Sequence, residues 1–116
     1  MMAQTRANEA YLTGISLPEN ITPVEHLETV VDQTHELVLA IPSHAFRSVL
    51  KDLKPRLAST RTKASLCWGT KGFEPDSALL LSDVFENVMG EDALPAVVSG
   101  PSFAGEVARG LPTALT

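Results

Sequence analysis

Ala64-Ser65-Leu66-Cys67-Trp68-Gly69-Thr70-Lys71-Gly72 decides how this chain folds. The mostly apolar run from Ala64 to Trp68 reads as a strand, and the Gly-Thr-Lys-Gly turn after it leads toward a helix-like run. A later stretch, Ala96-Val97-Val98-Ser99-Gly100-Pro101-Ser102-Phe103-Ala104, has the same order of strand, turn and helix. In an open α/β sheet, ligands bind where strands turn into helices at their carboxyl ends. One turn offers a lysine between glycines. The other offers a helix start with small residues and free backbone N–H groups. A cation beside a helix start suits a phosphorylated substrate.

The same alternation extends outward from this stretch. Upstream, Glu36-Leu37-Val38-Leu39-Ala40-Ile41 is nearly continuous in apolar residues, as in a strand buried on both faces. Pro42 ends it and Ser43 can cap a helix whose Phe46, Val49, Leu50 and Leu53 follow the spacing of one apolar face. Downstream, Asp76 or Ser77 can cap a second helix with Leu81, Val84, Phe85 and Val88 on one side, and Gly90 stops it. Ala96-Val97-Val98 reads as the third strand. Pro101 fits the first turn of a third helix, which Gly110 ends. Leu111-Pro112-Thr113-Ala114-Leu115 reads as the start of a fourth strand. Residues 1–34 are the least regular, although Pro23 can open a short helix capped by Thr22. Strands alternating with helices predict a mainly parallel sheet with right-handed crossovers, an α/β doubly wound fold. Four short strands and three helices make a thin sheet, so residues 1–116 are expected to be a piece of a larger domain.

Composition narrows the function. The 116 residues allow one domain at most. A net charge of −5, scattered along the chain, argues against a nucleic-acid partner, which needs a basic face. The start of the chain lacks the apolar core of a signal peptide. No apolar stretch approaches the roughly 20 residues that span a bilayer. Cys67 is the single cysteine, so no intrachain disulfide forms, and its apolar run predicts a buried, inert thiol. A soluble, cytoplasmic protein is expected. His26, His35 and His44 show no metal-ligand spacing and no partner cysteine, so no metal site is expected and none is assigned a catalytic role.

The motifs together resemble the N-terminal domain of bacterial NAD(P)-dependent glycerol-3-phosphate dehydrogenases. The resemblance is carried by Asn8-Glu9-Ala10-Tyr11-Leu12-Thr13-Gly14-Ile15 with Leu17-Pro18, and by Ala40-Ile41-Pro42-Ser43-His44-Ala45-Phe46. Thr70-Lys71-Gly72-Phe73-Glu74 follows, then Ser99-Gly100-Pro101-Ser102-Phe103-Ala104 with Glu106 and Gly110-Leu111-Pro112-Thr113-Ala114. The resemblance covers nearly the whole chain. It implies that residues 1–116 are part of a Rossmann-like NAD(P)-binding domain. It implies an oxidoreductase that interconverts sn-glycerol 3-phosphate and dihydroxyacetone phosphate with NAD or NADP and supplies the precursor of the phospholipid backbone. By the same resemblance, Lys71 contacts both cofactor and substrate, Gly100 and Ser102 contact substrate, and Ala104 contacts cofactor. Pro42 and Phe46 belong to the segment lining the dinucleotide. A small-molecule substrate is implied, and a homodimeric whole enzyme is compatible with it. The departures are also clear. The family's G-x-G-x-x-G turn is absent from this sequence, whose start aligns after that first βαβ unit. The family's catalytic lysine lies in a helical C-terminal domain that the sequence does not contain, so no catalytic residue is assigned within residues 1–116. Thr13 replaces a proline common in the family.

Each candidate has a plainer reading beside the functional one. Lys71 is a solvated loop lysine or a cation that stabilises charge developing on a ketone oxygen and holds phosphate. Ser99 to Ala104 is an ordinary helix cap or a ligand cradle in which Gly100 leaves the backbone open. Phe46 has core spacing as well as a place in the cofactor-lining segment. Three functional classes stay open: this dehydrogenase, another small-substrate reductase of the same superfold, and a non-catalytic truncated remnant.

Overall fold

A computed structural model describes residues 2–59 and 61–116. Eight elements run in the order α1 (Met2–Thr5), α2 (Leu27–Val31), β1 (Glu36–Leu39), α3 (Ser43–Leu57), β2 (Ala64–Trp68), α4 (Leu81–Met89), β3 (Ala93–Val97) and α5 (Ala104–Ala108). The three strands form one parallel sheet in the order β1-β2-β3. Sequential parallel strands joined by helices are the half-sheet unit of doubly wound α/β folds. Right-handed crossovers that advance in one direction place successive helices on the same side of a sheet. Here α3 and α4 do lie together, packed on each other.

That side holds the core. Leu37 and Leu39 from β1, and Leu66 and Trp68 from β2, meet Phe46, Leu50, Leu53 and Leu57 of α3. Leu81, Val84, Phe85, Val88 and Met89 of α4 complete it. The indole of Trp68 sits edge-on to Phe46 with centroids 5.4 Å apart, and it stacks on Phe85 at 5.3 Å. Pro55 lies within α3 and removes one helix hydrogen bond, but the helix continues through its last turn, where Ala58 N–H donates to Lys54 O at 3.0 Å.

The opposite face of the sheet departs from expectation. Val38, Cys67 and Ala96 stand in one row across the three strands, and Glu36, Ser65 and Leu94 in another. Val38 is 74% exposed and Leu94 52%. So β1 is covered on one face, not two, and Cys67 is half-buried where a fully buried thiol is expected. The reason is geometric: α3 and α4 both occupy the other side.

Several boundaries also move. Pro42, rather than Ser43, is the N-cap of α3, and no side chain caps it. β3 begins at Ala93, three residues ahead of the expected strand, and includes Pro95. A proline that cannot donate is tolerated there because β3 is bonded on one side by β2. α4 starts at Leu81, not near Asp76. The residues between form a closed loop in which Phe73 bridges Leu80 and Glu74 N–H donates to Leu79 O at 3.0 Å. α5 starts at Ala104, beyond Pro101. Residues 111–116 carry no strand, yet Ser99 and Thr116 exchange two backbone hydrogen bonds of 2.8 and 2.7 Å. α2 follows His26 instead of opening at Pro23. The irregular start is held by Arg6, whose Nη2 donates to Pro18 O at 2.6 Å and Ile21 O at 3.0 Å. No helix among the described residues is long and apolar enough to cross a membrane.

Candidate functional site

The carboxyl ends of β1 and β2, with the start of α5, enclose a cleft of about 780 Å³. Parallel strands that end together leave their following loops side by side, which is why a cleft forms there. Apolar groups make most of its wall: Ile41, Pro42, Ala104, Val107 and Ala108. Lys71 is the single charged residue among those that line it.

The loop after β2 is tied to both neighbouring loops. Gly69 N–H donates to Leu39 O at 3.1 Å, and the Thr70 hydroxyl to Ile41 O at 2.8 Å, so this loop is bonded to the end of β1. In the other direction, Lys71 Nζ donates to Gly100 O at 2.9 Å, in the loop after β3. An ammonium carries three donors, and this bond uses one. The others remain for a ligand in the cleft.

Five of the six candidates gather here. Pro42, Lys71, Ser102 and Ala104 line the cleft, and Gly100 joins through its bond to Lys71. Phe46 does not. Its ring is fully buried against Trp68 in the core, so the side chain offers no surface to a cofactor. Helical spacing with Leu50 and Leu53 accounts for that placement. Gly100 needs to be glycine for a reason the sequence does not reveal. A Cβ there would lie 2.4 Å from Ala114 O and 3.1 Å from Leu115 Cδ2. The close neighbour is therefore the chain's own C-terminal segment.

Two residues quoted in the sequence motifs gain a place only in the structure. Leu12, in the irregular N-terminal segment, reaches the cleft wall. More consequential is Glu74, three positions after Lys71 and buried. Arg47 of α3 grips its carboxylate with two bonds, Nε to Oε1 at 2.6 Å and Nη2 to Oε2 at 2.7 Å. The Ser77 hydroxyl donates to the same Oε2. Paired N–H···O bonds of this kind fix geometry as well as adding energy. The bonds from Arg47, then that from Ser77, hold the carboxyl down at about 2. An acidic residue two positions beyond a glycine turn was the available signal, but nothing marked Arg47 as its partner.

Residues 1–116 match the family model described as NAD-dependent glycerol-3-phosphate dehydrogenase N-terminus. The chain belongs to that family. Its glycerol-3-phosphate dehydrogenase relatives include the NAD(P)+ enzyme of Vibrio parahaemolyticus, 44% identical over 111 residues, or 96% of this chain and 31% of the relative. The Photobacterium profundum enzyme is also 44% identical, over 95% of this chain and 32% of its own length. Among solved structures, glycerol-3-phosphate dehydrogenase from Coxiella burnetii superposes with a TM-score of 0.86 at 34% identity, covering 98% of this chain and 34% of that one. The chain thus spans about a third of the length of the curated relatives it matches. The dehydrogenase family assignment confirms the resemblance carried by the motifs, and the neighbours confirm the α/β fold class.

Proposed function

We propose that residues 1–116 form the substrate-facing part of an NAD(P)-dependent dehydrogenase that interconverts sn-glycerol 3-phosphate and dihydroxyacetone phosphate. The observation that carries this reading is the cleft itself: one lysine, a serine and a mainly apolar lining at the carboxyl ends of parallel strands. A triose phosphate has a dianionic end and a small polar body, and a nicotinamide ring is flat and largely apolar. The donor set suits both. Ile41, Pro42, Ala104 and Val107 offer an apolar lining with little that would need a hydrogen-bond partner, as a flat ring seated among them requires. Lys71 supplies positive charge for the phosphate or for oxygen charge that builds as a ketone is reduced.

When bound, the nicotinamide cofactor supplies or accepts the hydride at the carbon bearing the secondary alcohol. The residues of this chain do the holding. Ser102 offers a hydroxyl that can donate to or accept from the triose. Gly100 O fixes the Lys71 ammonium at 2.9 Å, so the cation is aimed before substrate arrives. Ala104 keeps the wall short beside the ring. Proton transfer is assigned to a lysine outside residues 1–116. Within this reading the enzyme is cytoplasmic, is compatible with a homodimer, and feeds glycerophospholipid synthesis.

The test uses a chimera: a full-length relative whose matching segment is replaced by residues 1–116. Lys71→Ala in that chimera is expected to lower kcat for dihydroxyacetone phosphate reduction by roughly 10²–10³-fold, the scale of losing one preorganised charge-stabilising group. Near-normal turnover would overturn the assignment. Faster reduction of a different keto substrate by the parent chimera would point to another reductase of the superfold.

A further inference from the structure

Lys71 has a long, flexible side chain, so its aim depends on where its backbone is held. Immediately after it comes Gly72, at φ +95°, a conformation open to glycine and rarely to other residues. A glycine there gives the loop a joint. On the near side of the joint, Thr70 anchors the backbone to Ile41 O. On the far side, the backbone bridges at Phe73 to Leu80, and the first side chain anchored outside the loop is that of Glu74. Its carboxylate takes two bonds from Arg47 and one from Ser77. Its backbone closes the loop, with Ala78 N–H donating to Glu74 O at 2.9 Å. Ala78 itself sits at φ +56°, so this loop holds a strained residue in place. The Glu74 side chain is 12% exposed, so most of its surface is given to these partners and its neighbours. Arg47 stands on α3, the helix that begins next to Pro42 in the cleft wall.

We propose that the Arg47–Glu74–Ser77 cluster is a positioning device for Lys71, acting beside the bond to Gly100 O by fixing the far side of the Gly72 joint so that the ammonium points into the cleft. The proposal rests on the functional reading above. Neither Arg47 nor Glu74 lines the cleft, so neither is a catalytic residue. Both act through the loop. The cluster also ties the Pro42 side of the cleft to the Lys71 loop, since the helix that starts at Pro42 grips that loop through Glu74.

Five variants of the chimera separate the possibilities: Glu74→Gln, Ser77→Ala, Lys71→Ala and the double variants Lys71→Ala/Glu74→Gln and Lys71→Ala/Ser77→Ala. Glu74→Gln is expected to lower kcat/KM for dihydroxyacetone phosphate by roughly tenfold or more, since misplacement of a catalytic group by about an ångström costs up to a hundredfold. The affinity for glycerol 3-phosphate without cofactor, measured by calorimetry, is expected to fall with it. In the Lys71→Ala background, Glu74→Gln should cost less than about twofold, because residues acting as one unit are not additive. Losses that multiply in the double variant would make the cluster a merely structural brace and overturn the proposal. So would a Glu74→Gln variant with parental kcat/KM. If Glu74→Gln does not fold, Ser77→Ala removes one of the carboxylate's bonds and leaves Arg47 in place. A smaller loss confined to the Lys71 background supports the proposal, and no loss overturns it. Lys71→Ala with normal turnover sinks the functional reading itself, whereas an impaired Lys71→Ala beside an unimpaired Glu74→Gln sinks the positioning role alone.

Discussion

At Glu74, one carboxylate joins segments 27 residues apart, and its ionisation is linked to folding. Its pKa is held at about 2, against an ordinary 4.5, by the Arg47 bonds first and the Ser77 bond second, with Lys51 adding a smaller attraction. A carboxyl depressed in the folded state favours folding above its unfolded pKa, and that contribution is lost as pH falls toward the folded value. The thermal midpoint of the chimera is therefore expected to fall between pH 4.5 and 2 more steeply for the parent than for Glu74→Gln. Parallel curves would show that the pair contributes nothing to stability. Lys71 and Glu74 also differ in how legible they are. Glycines flanking a lysine after a strand mark Lys71 as a loop cation at a ligand-binding position. The partner of Glu74 is set by tertiary packing, which local sequence does not encode. Phe46 carries two readings in the sequence, cofactor lining by its place in a motif and core by its helical spacing, and its buried ring follows the second.

Among elements, α3 was the most readable. Its stripe of Phe46, Leu50 and Leu53 follows helical spacing, and Leu57 extends it by a turn. Leu50 is fully buried, so Leu50→Ala is expected to destabilise the fold by about 2–5 kcal/mol through lost burial and an unfilled cavity. Urea unfolding of the chimera measures this, and the half-buried Val49 sets the comparison, because Val49→Ala should cost clearly less. The strands were harder. β3 begins three residues ahead of the Ala96-Val97-Val98 run, since a strand bonded on one side has room for Pro95. The helix cap placed at Asp76 or Ser77 failed because Ser77 spends its hydroxyl on Glu74. The alternation of strand and helix survives all these shifts, since it depends on the order of apolar runs and not on their ends.

For the whole molecule, the sheet is two-faced in sequence and one-faced in structure. Val38 and Leu94 are apolar, as a doubly covered strand requires, yet among the described residues they face outward. Rows of this kind on a parallel sheet are ordinarily buried, and large exposed apolar patches drive association. Residues 1–116 alone are expected to self-associate in sedimentation measurements, and Val38→Thr with Leu94→Thr should reduce that association without loss of helix signal. The same isolated chain should bind NADH no tighter than about 1 μM, because the sequence contains no Gly-rich pyrophosphate turn. A monodisperse monomer with submicromolar NADH affinity would contradict both expectations.

Gly100 carries a consequence for anyone wishing to alter which substrate the cleft accepts. The backbone of Ala114 and the side chain of Leu115 already fill the space into which any side chain at position 100 would grow. That position is closed to redesign unless the chain's last residues are moved as well. New selectivity has to be written into Pro42, Ser102 and Ala104, whose residues already border the cleft. The molecule's freedom to diversify its chemistry is thus set by where its own backbone crosses.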